Sequence, residues 1–241
     1  MIKGKQFVTI WRKESRMEQE KILQLQQGLT TAFMNQAISS NLAYRPQFIS
    51  NNYREGRKVF SSIENELLSC EEFSISVAFI TMGGITPLLQ TLRELEYRGI
   101  PGRILTTDYL AFSDPKALRI LANFKNIELK MFVTENAKEG FHTKGYIFKK
   151  KEIYRMIVGS SNMTLSALTK NREWNTKIVS TDQGEYAQNL VSEFEQLWNA
   201  EESLSFEQFI ESYTKLYTKN KLIKKQRETA RQEEIPSLEM Y

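Results

Sequence analysis

The residues of this chain best suited to chemistry lie between positions 142 and 175. His142, the only histidine, stands two residues before Lys144 in the segment FHTKGYIF. Alternate side chains of a strand share one face, so the two are predicted to point the same way. An ammonium group neutralises a non-bridging phosphate oxygen, while an imidazole attacks phosphorus or carries a proton. The pair therefore suits phosphoryl chemistry.

Two later segments offer the remaining parts of such a site. Gly159-Ser160-Ser161-Asn162 is predicted to end a strand and open a helix, where backbone N–H groups and the Ser and Asn side chains can bind an anion. Asn171-Arg172-Glu173-Trp174-Asn175 supplies a carboxylate, and a carboxylate on the far nitrogen of a histidine fixes its tautomer. Together the three segments predict a nucleophile, a charge clamp, oxyanion donors and an orienting acid.

Each part also has an ordinary structural interpretation. A lone histidine is usually a surface or satisfied core residue, and Lys144 and Glu173 taken singly could be solvated charges. Gly-Ser-Ser-Asn before a helix is by default an N-cap, and Trp174 is predicted to lie in the core. It is the conjunction of these residues, in this order and spacing, that favours a site.

Other chemistries find less support in the sequence. No cluster of Asp, Glu and His with ligand spacing accompanies these residues, so a metal-dependent nuclease fits poorly and no cofactor is expected. The phosphate-binding sequence G-x-x-x-x-G-K-[ST] is missing, so ATP-driven unwinding is not expected of this chain.

Composition places the chain among ordinary globular proteins. Of its 241 residues, 41% are hydrophobic and 26% are charged. No uncharged apolar run reaches the roughly 18 residues of a membrane span, and the N-terminus has no signal-peptide core. Cys70 is the single cysteine and excludes an internal disulfide. A cytoplasmic protein without a membrane partner is therefore expected.

The positive charge is concentrated near the C-terminus. The net charge is +4, and residues 215–231 contain seven Lys or Arg against one Glu. A solvated helix or linker is favoured there over a nucleic-acid-binding arm. The tail up to Tyr241 has no folding signal, so we expect the native protein to continue into a further domain.

The hydrophobic pattern predicts the fold class. A helix is predicted over residues 17–42 and a loop over 44–52, after which strands alternate with helices of crossover length. One hairpin is predicted to turn at Lys151–Glu152. An α/β fold follows, with a mixed β-sheet flanked by helices on both faces. The predicted parts are an N-terminal helical extension (1–44), a catalytic domain (45–200) and a C-terminal helix with a basic linker (201–241).

The motifs resemble those of a known family. HTKGYIF, GSSNMT and NREWN are similar to the H-x-K, G-S-x-N and trailing-Glu elements of the phospholipase D superfamily, in its nuclease-like branch. The order of elements over roughly residues 45–200 resembles the domain that precedes DEAD/DEAH-type helicases in bacteria, to which domains of restriction endonucleases are related. A fused helicase domain is thus implied. The family's Asp five residues after the Lys is Lys149 here, a departure that weakens the phospholipase interpretation more than the nuclease one.

The resemblance also implies a role for each residue of the motifs. His142 is the nucleophile that forms a phosphohistidine, and Glu173 orients it. Lys144, Ser160 and Asn162 hold the phosphate, and Ser161 lies in the same phosphate-binding segment.

The chemistry requires a second histidine, which this chain lacks. Either the site is incomplete and the domain only binds, or two copies pair about a twofold axis and each contributes His142. The resemblance implies the second arrangement, a homodimer formed through the active-site face with one composite site.

Three functions follow as hypotheses. The first is a metal-independent phosphodiesterase or endonuclease that hydrolyses DNA, with RNA as an open alternative. The second is a binding module of a helicase, which holds nucleic acid or a partner protein without turnover. The third is a phosphodiesterase that acts on phospholipids.

Overall fold

The computed structural model describes residues 2–52, 54–135 and 137–233, with side chains described from residue 18 to residue 227 of these ranges. The described strands are β1 (Gln47–Ile49), β2 (Glu72–Val77), β3 (Gly102–Thr107), β4 (Ile127–Phe132), β5 (Lys144–Lys150), β6 (Ile153–Gly159), β7 (Asn175–Thr181) and β8 (Ser203–Ser205). The described α-helices are α1 (Ile2–Phe33), α2 (Val59–Ser69), α3 (Met82–Ile85), α4 (Leu89–Tyr97), α5 (Pro115–Ala122), α6 (Leu165–Thr169), α7 (Glu185–Asn199) and α8 (Phe206–Glu233). Short 3-10 helices cover Leu42–Tyr44, Thr86–Leu88 and Tyr109–Ala111.

All eight described strands form one mixed sheet, in the order β1-β7-β6-β5-β2-β3-β4-β8. Strands β2, β3 and β4 are parallel, while β5, β6 and β7 form an antiparallel meander. The predicted hairpin is confirmed, because β5 and β6 pair up to Lys150 and Ile153 and Lys151 turns between them with a φ of 54°. The short strands β1 and β8 are the outermost strands of the sheet and pair antiparallel with β7 and β4, respectively.

Helices cover both faces of the sheet, which confirms the predicted α/β fold. Neighbouring residues of β3 show the division, since Ile104 belongs to one buried cluster and Leu105 to the other. The larger cluster contains apolar side chains of α2, α4, α5 and the start of α8. In the smaller cluster, Phe194 and Trp198 of α7 pack against the opposite face of the sheet.

The N-terminal region differs from the prediction in two places. The helix predicted over 17–42 ends at Phe33, where the Thr31 hydroxyl contacts the carbonyl oxygens of Gln27 and Ile38, each at 2.8 Å, as the chain turns back. The loop predicted over 44–52 contains β1, in which Phe48 pairs with Thr176. A three-residue strand is too short to leave a periodic signal in the sequence.

The segment after residue 200 takes part in the packed fold. Strand β8 pairs with β4, and Phe209, Ile210 and Tyr213 of α8 are buried in the larger cluster. The Tyr213 hydroxyl donates to the Ser113 carbonyl at 2.7 Å, so the helix is also tied to the loop before α5. The tail from which a further domain was predicted lies, beyond residue 233, outside the described residues. Of the helices described, none is long and apolar enough to cross a membrane.

The sheet brings the three chemical segments to one edge. Strand β2 ends where β5 begins, with Val77 opposite Lys144. Strand β6 ends where β7 begins, with Gly159 opposite Asn175. Because β5 pairs with both β2 and β6, the His142, Ser160 and Glu173 segments all leave the sheet at this one edge.

Candidate active site

His142 and Lys144 are in contact at the start of β5. The Lys144 Nζ lies 2.8 Å from the imidazole Nδ1 and 3.2 Å from Nε2, and donates to the His142 carbonyl at 2.9 Å. The imidazole is exposed and the lysine is half-buried. An ammonium group can only donate, so its contact with the ring requires a ring nitrogen that bears a lone pair. Such a nitrogen is able to attack phosphorus.

The segment carrying His142 is anchored on both sides of the imidazole. The Thr143 and Ser76 hydroxyls hydrogen-bond to each other, which ties the segment to β2. Phe141 is buried, and its ring centroid lies 5.5 Å from that of Phe132. The strand begins only at Lys144, so His142 sits in a loop, and these anchors rather than strand alternation bring it against the lysine.

Ser160 and Glu173 form a second contact at the same edge. The Ser160 hydroxyl donates to the Glu173 carboxylate and accepts from the Trp174 backbone N–H at 3.1 Å. The Ser160 backbone N–H in turn donates to the Trp174 carbonyl at 3.1 Å. These bonds hold the end of β6 against the segment that leads into β7.

Glu173 connects the two contacts through its charge. Burial lowers the pKa of the Lys144 ammonium below the usual lysine value, and the negative charge of Glu173 opposes that shift. Among the contacts of the described residues, the Glu173 carboxylate hydrogen-bonds to Ser160 rather than to His142. Its orienting role at His142 stays a prediction.

Ser161 faces the protein interior, in contrast to Ser160. Its side chain is fully buried, and its hydroxyl accepts from the Asn175 amide nitrogen at 2.9 Å. The hydroxyl of the buried Tyr146 donates to the Ser161 carbonyl at 3.0 Å. Ser161, Tyr146 and Asn175 therefore hold the loop in place through hydrogen bonds on its buried side. No role was predicted for Tyr146, or for Asn175 within the NREWN segment; the signal available in the sequence was a side chain with a polar group at a strand position that is otherwise apolar, as at Tyr146 in GYIF.

Asn162 links the same loop to the end of β2. Its side-chain oxygen accepts from the Phe79 backbone N–H at 3.1 Å, and the Met163 N–H donates to the Phe79 carbonyl at 3.0 Å. The helix predicted to open at residues 159–162 begins later, at Leu165, and Thr164 is its N-cap. The predicted helix N-terminus at the Gly-Ser-Ser-Asn motif is therefore wrong, because these residues are used to join β6 to β2.

The glycine of this motif is required by close packing. A Cβ atom at Gly159 would lie 2.2 Å from the Trp174 carbonyl oxygen and 2.5 Å from the Asn175 side-chain oxygen. Both distances are too short for non-bonded atoms, so a residue with a side chain would push β6 and β7 apart. Glycine thus permits the close approach that holds Ser160 beside Glu173.

Trp174 was predicted to lie in the core, and that prediction is wrong. Its side chain is 73% exposed and contacts the ring of Phe48, which is 63% exposed. The two ring centroids are 6.0 Å apart with an interplanar angle of 76°, an edge-to-face arrangement. An exposed aromatic pair therefore borders the site beside Glu173.

The side chains gathered here are an imidazole, an ammonium, a hydroxyl and a carboxylate. No group of three or more His, Cys, Asp or Glu side chains is arranged to hold a metal ion anywhere in the part of the chain that the structure describes. The arrangement can supply a nucleophile, a cation and a hydrogen-bond donor to a phosphate ester.

Comparison with known proteins identifies the family. The family described as cardiolipin synthase, PLD-like domain, matches residues 64–198, more than half of the chain. No curated protein sequence matches. Among solved structures, NucT from Helicobacter pylori is similar with a TM-score of 0.53 and 19% identity, over 67% of this chain and 99% of that one. Nuc from Salmonella typhimurium, a phospholipase D family member, gives 0.52 and 19% over the same shares.

A third solved structure extends the comparison of the fold. Phosphatidylserine synthase from Haemophilus influenzae Rd KW20 gives a TM-score of 0.50 and 14% identity, over 77% of this chain and 46% of that one. Structural similarity at such low sequence identity establishes only the fold, whereas the match to the family over residues 64–198 establishes that the chain is a member of that family. The chain belongs to the family of phospholipase D-like domains.

Proposed function

We propose that this protein is a metal-independent phosphodiesterase that hydrolyses DNA through a covalent phosphohistidine. The observation that carries the proposal is the contact between His142 and Lys144 at the sheet edge where Ser160 and Glu173 also meet. Membership of the phospholipase D-like family supports phosphodiester chemistry. The choice of DNA rests on the resemblance of the motifs to the nuclease-like branch, with RNA as the alternative substrate.

The residues would divide the work as follows. A ring nitrogen of His142 attacks phosphorus, so that a P–N bond forms and the P–O bond to the leaving group breaks. Lys144 neutralises a non-bridging oxygen, and the Ser160 hydroxyl, which donates to Glu173 in the free protein, would turn to donate to another when substrate binds. With its oxygen held by Phe79, Asn162 would present its amide N–H₂ group to the phosphate. Water then cleaves the P–N bond, which releases the phosphate and restores the imidazole.

The leaving oxygen needs a proton, and His142 is occupied as the nucleophile. The proton would come from His142 of the partner subunit in a homodimer formed through the active-site face, and that histidine would take a proton back from the water that cleaves the P–N bond. Each copy then provides one histidine to a single composite site. A helicase domain fused to this one stays a prediction from the sequence.

Hydrolysis in the presence of EDTA tests the proposal. Plasmid and single-stranded DNA are incubated with the wild-type protein, with His142→Ala and with Lys150→Gln, a control at the far end of β5. The wild type and the control should cleave, and His142→Ala should not. Mass spectrometry of the quenched wild-type reaction should show a phosphoryl adduct on His142. Equal cleavage by the wild type and His142→Ala would refute the proposal.

A phospholipid substrate is a second candidate, favoured by the description of the matching family as cardiolipin synthase. The same residues would perform the same chemistry on a lipid phosphodiester. Vesicles of anionic phospholipid, offered to the wild type and to His142→Ala, decide between the two substrates. Release of a head group that depends on His142, without cleavage of DNA, would support the lipid and contradict the nuclease proposal. A module that binds nucleic acid without turnover would give neither reaction.

A further inference from the structure

An exposed aromatic pair and a basic groove lie side by side next to the site. We propose that single-stranded DNA crosses this surface, with unpaired bases stacked on Trp174 and Phe48 and phosphates held by Arg45, Arg57 and Lys58. We call these five residues the stacking surface. The assignment of DNA as its ligand rests on the proposed function. The inference adds to that function that the DNA substrate is single-stranded.

The backbone of Trp174 is fixed next to the proposed phosphate site. Its backbone exchanges hydrogen bonds with Ser160 through the Trp174 N–H and the Trp174 carbonyl, each at 3.1 Å. It also follows Glu173 directly in the chain. A base that stacks on this ring would therefore belong to a nucleotide close to the phosphate under attack. Exposed aromatic rings are the usual platforms for unpaired bases.

Phe48 continues the surface into a groove. The groove has a volume of about 480 Å³ and lies between β1 and the segment that leads into α2. Three cationic side chains line it, Arg45, Arg57 and Lys58, and none of the described residues that line it is acidic. A basic groove continuous with an aromatic platform is the combination that binds a single strand, because cations follow the phosphates while rings receive the bases.

The cations keep most of their capacity to bind phosphate. Arg57 lies 3.0 Å from Glu55, but both side chains are largely exposed, and an exposed ion pair contributes little and exchanges readily. Arg45 is positioned by Ser40, to whose hydroxyl and carbonyl it donates at 3.1 and 3.2 Å. A fixed guanidinium suits a phosphate better than a freely moving one.

The charges also argue against a second copy of the chain as the occupant. A twofold contact through this surface would place its three cations opposite the same three cations, and like charges across an interface oppose association. Duplex DNA fits less well than a single strand, because paired bases are already stacked on each other and offer no faces to Trp174 and Phe48.

Binding to two oligomers of equal charge tests the stacking. Fluorescence anisotropy is measured with a labelled single-stranded oligodeoxynucleotide and with an abasic oligomer of the same length, in a His142→Asn background that prevents turnover. Trp174→Ala should weaken binding of the oligodeoxynucleotide by about 5- to 100-fold and that of the abasic oligomer by less than about twofold. Tyr97→Ala is the matched control, since Tyr97 is 88% exposed on α4 near the opposite edge of the sheet.

The cations are tested with the double variant Arg57→Gln/Lys58→Gln. It should weaken binding of both oligomers and make the negative slope of log affinity against log salt shallower by about 1.4, which is about 0.7 for each phosphate that the protein no longer neutralises. Lys125→Gln, an exposed cation before β4 at the opposite edge, should change neither quantity.

Two outcomes would overturn the inference. One is unchanged binding of the oligodeoxynucleotide by Trp174→Ala. The other is a dimer that Trp174→Ala converts to monomers in light scattering, which would assign the surface to a contact between copies. Failure of the proposed function looks different, because binding that depends on Trp174 without any hydrolysis leaves the stacking surface in place and removes only the reaction.

Discussion

The hydroxyl of Ser160 donates a hydrogen bond to the carboxylate of Glu173, a residue thirteen positions later in the chain. The carboxylate is also close enough to Lys144 to raise the pKa of its ammonium group against the lowering caused by burial. Glu173 thus acts on two groups that we assign to the phosphate, one by hydrogen bonding and the other by charge.

Glu173→Gln keeps the shape of the side chain and removes its charge. The pKa of Lys144 should then fall further, because burial acts without opposition. Activity that needs the ammonium form would be lost at a lower pH than in the wild type, and kcat should fall by about 100-fold as the site loses its alignment. The pH profile of kcat/KM checks the shift of the basic limb, and kcat at saturating substrate checks the loss of rate. A basic limb at the wild-type position would show that the charge of Glu173 does not reach Lys144.

Lys144→Arg and Lys144→Gln separate the charge from the side chain. The pKa of Lys144 is lowered by burial, so the ammonium form exists at low pH and disappears as pH rises through that lowered value. Arginine keeps its proton over the whole range, so Lys144→Arg should lose the basic limb and keep part of the activity. Lys144→Gln should be inactive at every pH. If Lys144→Gln turned over at the wild-type rate, the lysine would have no part in the reaction.

Mixed dimers test the composite site. Wild-type protein and His142→Ala are unfolded together, refolded, and assayed at several ratios. If each site needs two His142 side chains, only dimers of two wild-type copies are active. An equal mixture should then have about one quarter of the activity of wild-type protein at the same total concentration. Retention of one half would mean that each copy works alone. Light scattering on the same samples reports whether dimers are present.

Gly159 and Gly145 form a matched pair at the same sheet edge. A Cβ at Gly159 would lie 2.2 Å from the Trp174 carbonyl oxygen, whereas a Cβ at Gly145 meets nothing within 4 Å. Gly159→Ala should lower the free energy of unfolding by about 1–3 kcal/mol, the usual cost of overpacking. Gly145→Ala should leave it unchanged or raise it by up to about 1 kcal/mol. Urea unfolding measures both, and an equal effect would contradict the packing argument.

Glu66 ties α2 to the meander of the sheet. Its carboxylate lies 3.1 Å from the Lys177 ammonium and 3.6 Å from the Arg155 guanidinium, and all three side chains are largely buried. Glu66→Gln leaves two poorly solvated cations without their counter-charge. The free energy of unfolding should fall by about 3 kcal/mol, the low end for a broken buried pair, since both cations keep some contact with water. Glu94→Gln, at an exposed position on α4, is the control in the same urea titration. If it lowered the free energy of unfolding as much as Glu66→Gln does, the buried ion pairs would not be the cause.

Much of the fold follows from signals within short segments. Asp114 followed by Pro115 is typical of the start of a helix, and at the start of α5 the Asp114 side chain accepts from the Lys116 N–H. Gly99, two residues after the end of α4, has a φ of 66°, a conformation that favours glycine. Such features depend on the backbone preferences of a few neighbouring residues, so the sequence alone contains them. The family resemblance likewise follows from the three motifs and their order.

Orientation of the side chains at the site was decided by the tertiary structure. Nothing in the spacing of Ser160, Ser161 and Trp174 indicates that the first and last are exposed while the second is fully buried. That outcome depends on the register of β6 against β7, which places Gly159 opposite Asn175 and so turns Ser161 toward Tyr146 and Asn175. The sequence determined which chemical groups this protein has. Pairing between strands distant in the chain decided which of them meet, because register is set by the packing of the whole sheet.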